Sequence, residues 1–200
     1  MVKKCTRKAT VFAAGMILVS ANVFATPRAL LPEESQIEFS VKEMGVPVVG
    51  KFTQFEAAID IDLTKPEKSS ANLRIDIGSL TTGNEEADAI AIDPDWLDKA
   101  HAPYATFKSA SIRALGGGRY EAEGTLNIRN KERDVAIQFS SSEQAGGKTV
   151  IVSDFTIKRS EFGIGGGVWN EGGVVGEEVP VKVRLTLAPM ASKKSSSAPR

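Results

Sequence analysis

The chain has 200 residues, 42% hydrophobic and 25% charged, with 25 basic residues against 25 acidic ones. That balance fits one globular domain and lacks the basic excess that nucleic-acid binding demands. The single cysteine, Cys5, excludes an internal disulfide and a cysteine-built metal site.

Residues 1–25 read as a secretion signal. Lys3, Lys4, Arg7 and Lys8 form a positive start, residues 9–23 are apolar, and Val23-Phe24-Ala25 make a cleavage site before Thr26. The apolar run is about 15 residues, short of the roughly 20 that a spanning helix needs. Cleavage would leave 21 basic residues against 25 acidic ones, a net charge of −4, and no membrane span. It would also remove the only thiol before an oxidising compartment is entered. The expected location is the periplasm. Residues 26–190 are read as one domain and the Ser/Lys-rich residues 191–200 as a disordered tail.

Period two, the mark of a strand buried on one face, dominates the rest. Ile37, Phe39 and Val41 share one face, and Gly45 with Pro47 mark a turn. Phe55, Ala57, Ile59 and Ile61 line one face of a long strand from Gly50 to Asp62. Phe52 is out of phase with them, which predicts a bulge near Thr53. Leu73, Ile75 and Ile77 alternate with Asn72, Arg74 and Asp76. From Thr81 to Pro103 the pattern breaks, and a short helical connection is expected around residues 83–98, with Trp96 and Leu97 as apolar anchors.

Alternation resumes over 105–113. Gly116-Gly117-Gly118 predicts a hairpin, and the returning strand puts Tyr120, Ala122, Gly124, Leu126 and Ile128 on one side. Val135, Ile137 and Phe139 follow, then Phe155 and Ile157, then Val179, Val181, Val183, Leu185 and Leu187. Between the last two strands lies a glycine-rich loop carrying Phe162 and Trp169, suited to fold over a barrel mouth. The expected fold is all-β, an eight-stranded antiparallel barrel that leaves no edge strand unpaired. A sandwich satisfies the periodicity as well. Ala57, Ala122, Gly124, Ser109 and Ser111 are small inward positions, which either leave room for a ligand or interleave with larger residues.

The sequence offers little for catalysis. His101 is the only histidine; it sits in a proline-flanked connection, without the nucleophile elbow of a hydrolase or the histidine partners of a catalytic zinc site. Asp93, Asp95 and Asp98 cluster, but the sixth and twelfth positions counted from Asp93 are Asp98 and Tyr104, not the glycine and glutamate of an EF-hand. The glycine run after Gly163 lacks the Lys-Ser/Thr ending of a phosphate loop. No catalytic residue, metal ligand or cofactor site is assigned. Arg159 opens the glycine loop and is read two ways, as the partner of a buried carboxylate or as the contact for an anionic head group.

Five segments together carry a resemblance: Thr81 to Asp88, Asp95 to Asp98, Ala102 to Ser109, Gly124 to Arg129, and Arg159 to Trp169. In this order and spacing they resemble the YceI-like family of secreted bacterial proteins, over roughly Leu31 to Pro189. The resemblance implies a lipocalin-like barrel whose apolar cavity holds a polyisoprenoid or similar lipid chain, with members taken to bind, store or carry quinone-type or polyprenyl-phosphate lipids. Two departures stand out. Asn130 replaces a glycine common after the Gly-x-Leu-x-Ile-Arg segment, and Lys42-Glu43 replace a histidine common near the end of the first strand.

The expected function is therefore periplasmic storage or transport of an isoprenoid or fatty lipid, with a homodimer kept open as an assembly. The expected lining is Phe39, Phe55, Ile59, Leu73, Ile75, Phe107, Tyr120, Ala122, Leu126, Ile137, Phe139, Phe155, Phe162 and Trp169, with Arg159 toward the head group. The alternatives are a stress-related or structural barrel without a ligand, and an enzyme acting on a lipid. The second needs an acid–base pair inside the barrel, whereas the alternation sends nearly every carboxylate outward.

Overall fold

A computed structural model describes residues 28–166, 169 and 174–189. The expected signal (1–25) and tail (191–200) lie outside the described residues. Eleven strands and one α-helix follow in chain order. They are β1 (Arg28–Leu30), β2 (Gln36–Glu43), β3 (Val46–Phe52), β4 (Phe55–Asp60), β5 (Ser70–Asp76), β6 (Leu80–Thr81), α1 (Glu85–Ala91), β7 (Tyr104–Gly116), β8 (Arg119–Ile128), β9 (Lys131–Glu143), β10 (Thr149–Lys158) and β11 (Glu178–Pro189).

Eight of them close an antiparallel barrel in the order β1-β4-β5-β7-β8-β9-β10-β11, with β11 returning to β1. The closure is made by a strand that breaks in two. A single 3-10 turn at Pro32–Glu34 divides β1 from β2, so β11 pairs with β1 through Leu187 and with β2 through Val181 to Arg184. The hairpin β2–β3 then extends one end of the barrel wall, and β6 pairs with β3.

The turns follow residue chemistry. Met44 and Gly45 both have positive φ (48° and 83°), as do Arg129 and Asn130 (54° and 56°); paired positive φ values match the right-handed twist of flanking strands in a two-residue hairpin. Asn130 thus keeps the turn a glycine would make, and its side-chain amide donates to the His101 carbonyl at 3.0 Å. Instead of one strand with a bulge near Thr53, the chain breaks between β3 and β4. Thr53 and Gln54 donate their amides to the Ser79 carbonyl and hydroxyl, at 3.1 and 3.0 Å. That corner is why Phe52 and Phe55 both face inward although three positions apart.

Two clusters fill the barrel interior. One gathers Ile77, Ala105, Leu126, Ile128, Phe162 and Ile164 beneath the α1 connection. The other gathers Ile59, Ile61, Ile151, Leu185 and Leu187 at the end where β1 closes the ring. Burying each such side chain contributes about 1.5–3 kcal/mol.

Candidate functional site: an apolar chamber under the helical connection

The cavity occupies the α1 end of the barrel and measures about 380 Å³, within the range of small-molecule sites. Its walls come from inward positions of consecutive strands. These are Ile37, Phe39 and Val41 of β2, Val48 and Phe52 of β3, Ile75 of β5, Ala105 of β7, Leu126 and Ile128 of β8, Phe155 and Ile157 of β10, and Val179 and Val181 of β11. Ala87, Ile90 and Ala91 of α1 roof it, with Trp96, Leu97, Ile164, Trp169 and Val175 from the connections. Trp96 and Trp169 meet edge to face, with ring centroids 5.5 Å apart and planes at 61°. The polar exceptions are Glu43, Thr82, Asn84, Glu86 and Arg159.

The roof is fixed by local hydrogen bonds. Asn84 caps α1, its side chain accepting from the Glu86 and Ala87 amides. Asp88 reaches back to β6's exit, accepting from the Thr82 amide at 2.6 Å and the Thr82 hydroxyl at 2.7 Å. The Thr82 hydroxyl bond, then the Thr82 amide bond, hold the Asp88 carboxyl below its ordinary value of 3.8.

Arg159 is 3% exposed, and its guanidinium is directed at backbone carbonyls. Nη1 donates to Ile164 (2.9 Å) and Gly165 (2.7 Å), Nη2 to Val175 (3.2 Å) and Trp169 (3.4 Å), and Nε to Gly176 (3.1 Å). A carboxylate of Glu177 lies 4.0 Å from Nε, but its side chain is 43% exposed. The arginine therefore staples two arms of the glycine loop to the start of the 3-10 turn at Arg159–Phe162. Residues 167, 168 and 170–173 of the loop lie outside the described residues.

Of the expected lining residues, Phe39, Ile75, Leu126, Phe155 and Trp169 stand on the cavity wall, as does Arg159. The others are placed elsewhere. Ile59 is buried in the cluster at the β1 end, with Phe55, Leu73 and Phe139 packed against it. Phe162 and Phe107 belong to the cluster beneath α1. Tyr120 stacks on Phe139, centroids 5.4 Å apart, and Ala122 faces Ile112 on one side and Ile137 on the other. The physical reason is axial height. Period two tells inward from outward, but a barrel interior is several layers deep and only the layers near α1 open onto the cavity.

The small residues have a different use as well. A Cβ on Gly124 would overlap the Lys108 carbonyl oxygen and lie 2.8 Å from Ser109 Cα. Gly124 is there because β7 shifts register between Ser109 and Ser111 and presses its backbone inward. Ser109 does not line the cavity either; its hydroxyl accepts from the Ala71 amide at 2.9 Å. Residues missed by sequence reasoning include Val48, Leu80, Ala87, Ile90, Ala91, Ile164, Val175 and the rim glutamates. Helix spacing of Ala87, Ile90 and Ala91 (i, i+3, i+4) was the signal that marks α1's inner face.

His101 is an exposed side chain, 2.8 Å from an Asp98 carboxylate oxygen. Among the described residues no group of three or more His, Cys, Asp or Glu side chains is placed to hold a metal, and no helix is long and apolar enough to cross a membrane.

An eight-stranded antiparallel barrel with an apolar chamber under one capping helix defines a lipocalin-like binding fold. Residues 29–187 match the model of the YceI-like domain, and the chain belongs to that family. A UPF0312 protein of Pseudomonas savastanoi pv. phaseolicola is 25% identical over 163 residues, 77% of this chain and 85% of its own. The crystal structure of Burkholderia cenocepacia BcnA superposes with a TM-score of 0.76 at 30% identity, covering 78% of this chain and 98% of that one. A polyisoprenoid binding domain from Saccharophagus degradans, implicated in plant cell wall breakdown, has the same fold, with a TM-score of 0.64 at 14% identity over 83% of this chain and 99% of that domain.

Proposed function

We propose that this protein encloses the chain of an isoprenoid-type lipid in the chamber beneath α1 and serves to store or carry it in the periplasm. The observation that carries this reading is the chamber itself, about 380 Å³ walled almost wholly by aliphatic and aromatic side chains. The fold shared with the S. degradans polyisoprenoid binding domain supplies a precedent for such a use of the barrel.

The magnitudes agree. An apolar cavity of about 150 Å³ takes a benzene ring, so this one has room for roughly fifteen non-hydrogen atoms, or about three isoprene units. At about 0.8 kcal/mol per buried CH₂, each unit contributes on the order of 4 kcal/mol of transfer free energy. Three units exceed the lower estimates of the association cost and yield roughly micromolar or tighter binding. Binding of this kind needs no acid–base group.

Native mass spectrometry of the protein recovered from its own periplasm, with organic extraction of bound material, tests the reading. A discrete additional mass with polyprenyl fragmentation is the expected result. Bare protein, both as recovered and after incubation with quinone and polyprenyl lipids, would favour a barrel without a ligand.

A further inference from the structure

The chamber's walls say little about the head of its ligand, but its ionisable rim does. Glu43 ends β2 and Glu86 lies in the first turn of α1, and both side chains border the cavity. Both residues are exposed. Neither has an ion-pair partner within 4.0 Å among the described residues. The neighbouring Lys42 points the other way, because successive side chains of a strand face opposite sides. Among the described residues the one cation on the wall, Arg159, directs N–H groups at the carbonyls of the glycine loop. Asn84 and Thr82 add no positive charge, and the Asn84 side-chain oxygen is already taken by the amides that start α1.

We infer that the mouth of this chamber is a charge filter that rejects anionic head groups, so that the ligand is an isoprenoid lipid with an uncharged or cationic head and not a polyprenyl phosphate. The inference rests on the lipid-carrier reading and narrows it. An apolar tail seated among Phe39, Phe155 and Trp169 brings its polar end to the rim. There a phosphate meets two carboxylates next to a low-dielectric wall, where like charges repel more strongly than in bulk water. A hydroxyl, a carbonyl or an ammonium meets no such penalty.

Intrinsic fluorescence reads the test directly, because the chain's two tryptophans both line the cavity. Four ligands with one fifteen-carbon tail are titrated at low salt: farnesene, farnesol, farnesylamine and farnesyl phosphate. Farnesol and farnesylamine are expected to bind at least tenfold more tightly than farnesyl phosphate, with the gap shrinking as salt is raised. In the Glu43→Gln/Glu86→Gln double variant the farnesol-to-phosphate ratio of affinities should fall toward one. Glu86→Lys should carry it further in favour of the phosphate. Both rim residues are exposed, and unfolding midpoints close to the parent's confirm that the variants fold. Equal or tighter binding of the phosphate by the parent protein overturns the inference, as does a ratio that the double variant leaves unchanged. In either case farnesene and farnesol binding would leave the carrier reading standing. If none of the four ligands binds, both readings fall.

Discussion

The ring of Phe39 lies over the Cα of Gly50, its direct partner across the β2–β3 ladder. A Cβ on Gly50 would overlap Phe39 Cζ and lie 2.7 Å from Cε1. Phe39 also leans on Phe52, centroids 5.6 Å apart. The missing side chain at position 50 is therefore what holds an aromatic ring flat against the wall and leaves the chamber open in front of it.

Gly50→Ala should lift that ring into the cavity. Because the clash is with the far end of a side chain that can swing, the expected stability loss is modest, about 1–3 kcal/mol. The larger effect is on ligand. Farnesol affinity should drop several-fold, and a titration of tryptophan fluorescence alongside thermal unfolding separates the two effects.

Gly124→Ala should be worse for stability and for a different reason. Its Cβ meets backbone of β7, which cannot swing away without breaking the β7–β8 ladder. A loss of about 3 kcal/mol or more is expected in denaturant unfolding. A loss equal to that of Gly50→Ala would mean the bulge at Ser109 relaxes easily.

Filling the chamber calls for a residue on the roof. Ala87→Leu places a helix-compatible side chain on α1's inner face and should weaken farnesol binding with little change in unfolding midpoint. Ala122→Phe is expected to behave in the opposite way. Ala122 is 4% exposed between Ile112 and Ile137, so the variant should lose stability by overpacking.

Arg159→Met removes the staple of the glycine loop and leaves several buried carbonyls without a donor. Each orphaned carbonyl costs about 1–3 kcal/mol, although the loop can move to find water. Faster proteolytic cleavage between residues 164 and 177 and a lowered unfolding midpoint are expected. Unchanged cleavage would show that the loop is held by something other than the guanidinium.

The Asp88 clasp predicts a pH dependence. The folded-state carboxyl is held below 3.8 by the Thr82 hydroxyl and amide, so the clasp's contribution is fully present above the unfolded value. It is lost as pH falls through the lowered folded-state value. Exchange protection of the α1 amides, corrected for intrinsic rates, should hold steady from neutral pH to about pH 5 and fall below pH 4. Asp88→Asn should remove that acid step and show weaker protection at neutral pH.

Strand alternation made most of the barrel legible before any coordinates. Val179 to Leu187 and Tyr120 to Ile128 needed only their period, because each strand has one wet face and one dry one. The α1 connection was legible from its broken pattern. What periodicity lacks is height along the barrel. Ile59 and Ile75 both face inward on neighbouring strands, yet one is sealed near β1 and the other borders the chamber. The difference is set by ladder register and by which end α1 covers, both of which are long-range. Gly124 was read as either room for a ligand or a place for larger residues to interleave, since nothing local reveals that a bulged neighbour presses against it.

The pairing of Leu30 with Leu187 ties the first described strand to the last. That pairing closes the ring of eight strands, from which β2, β3 and β6 continue the sheet. A chain emerging from the ribosome therefore cannot complete the ring until its final strand has been made. Until then β1 and β10 each lack the partner that β11 supplies, and such non-local pairing slows folding in general.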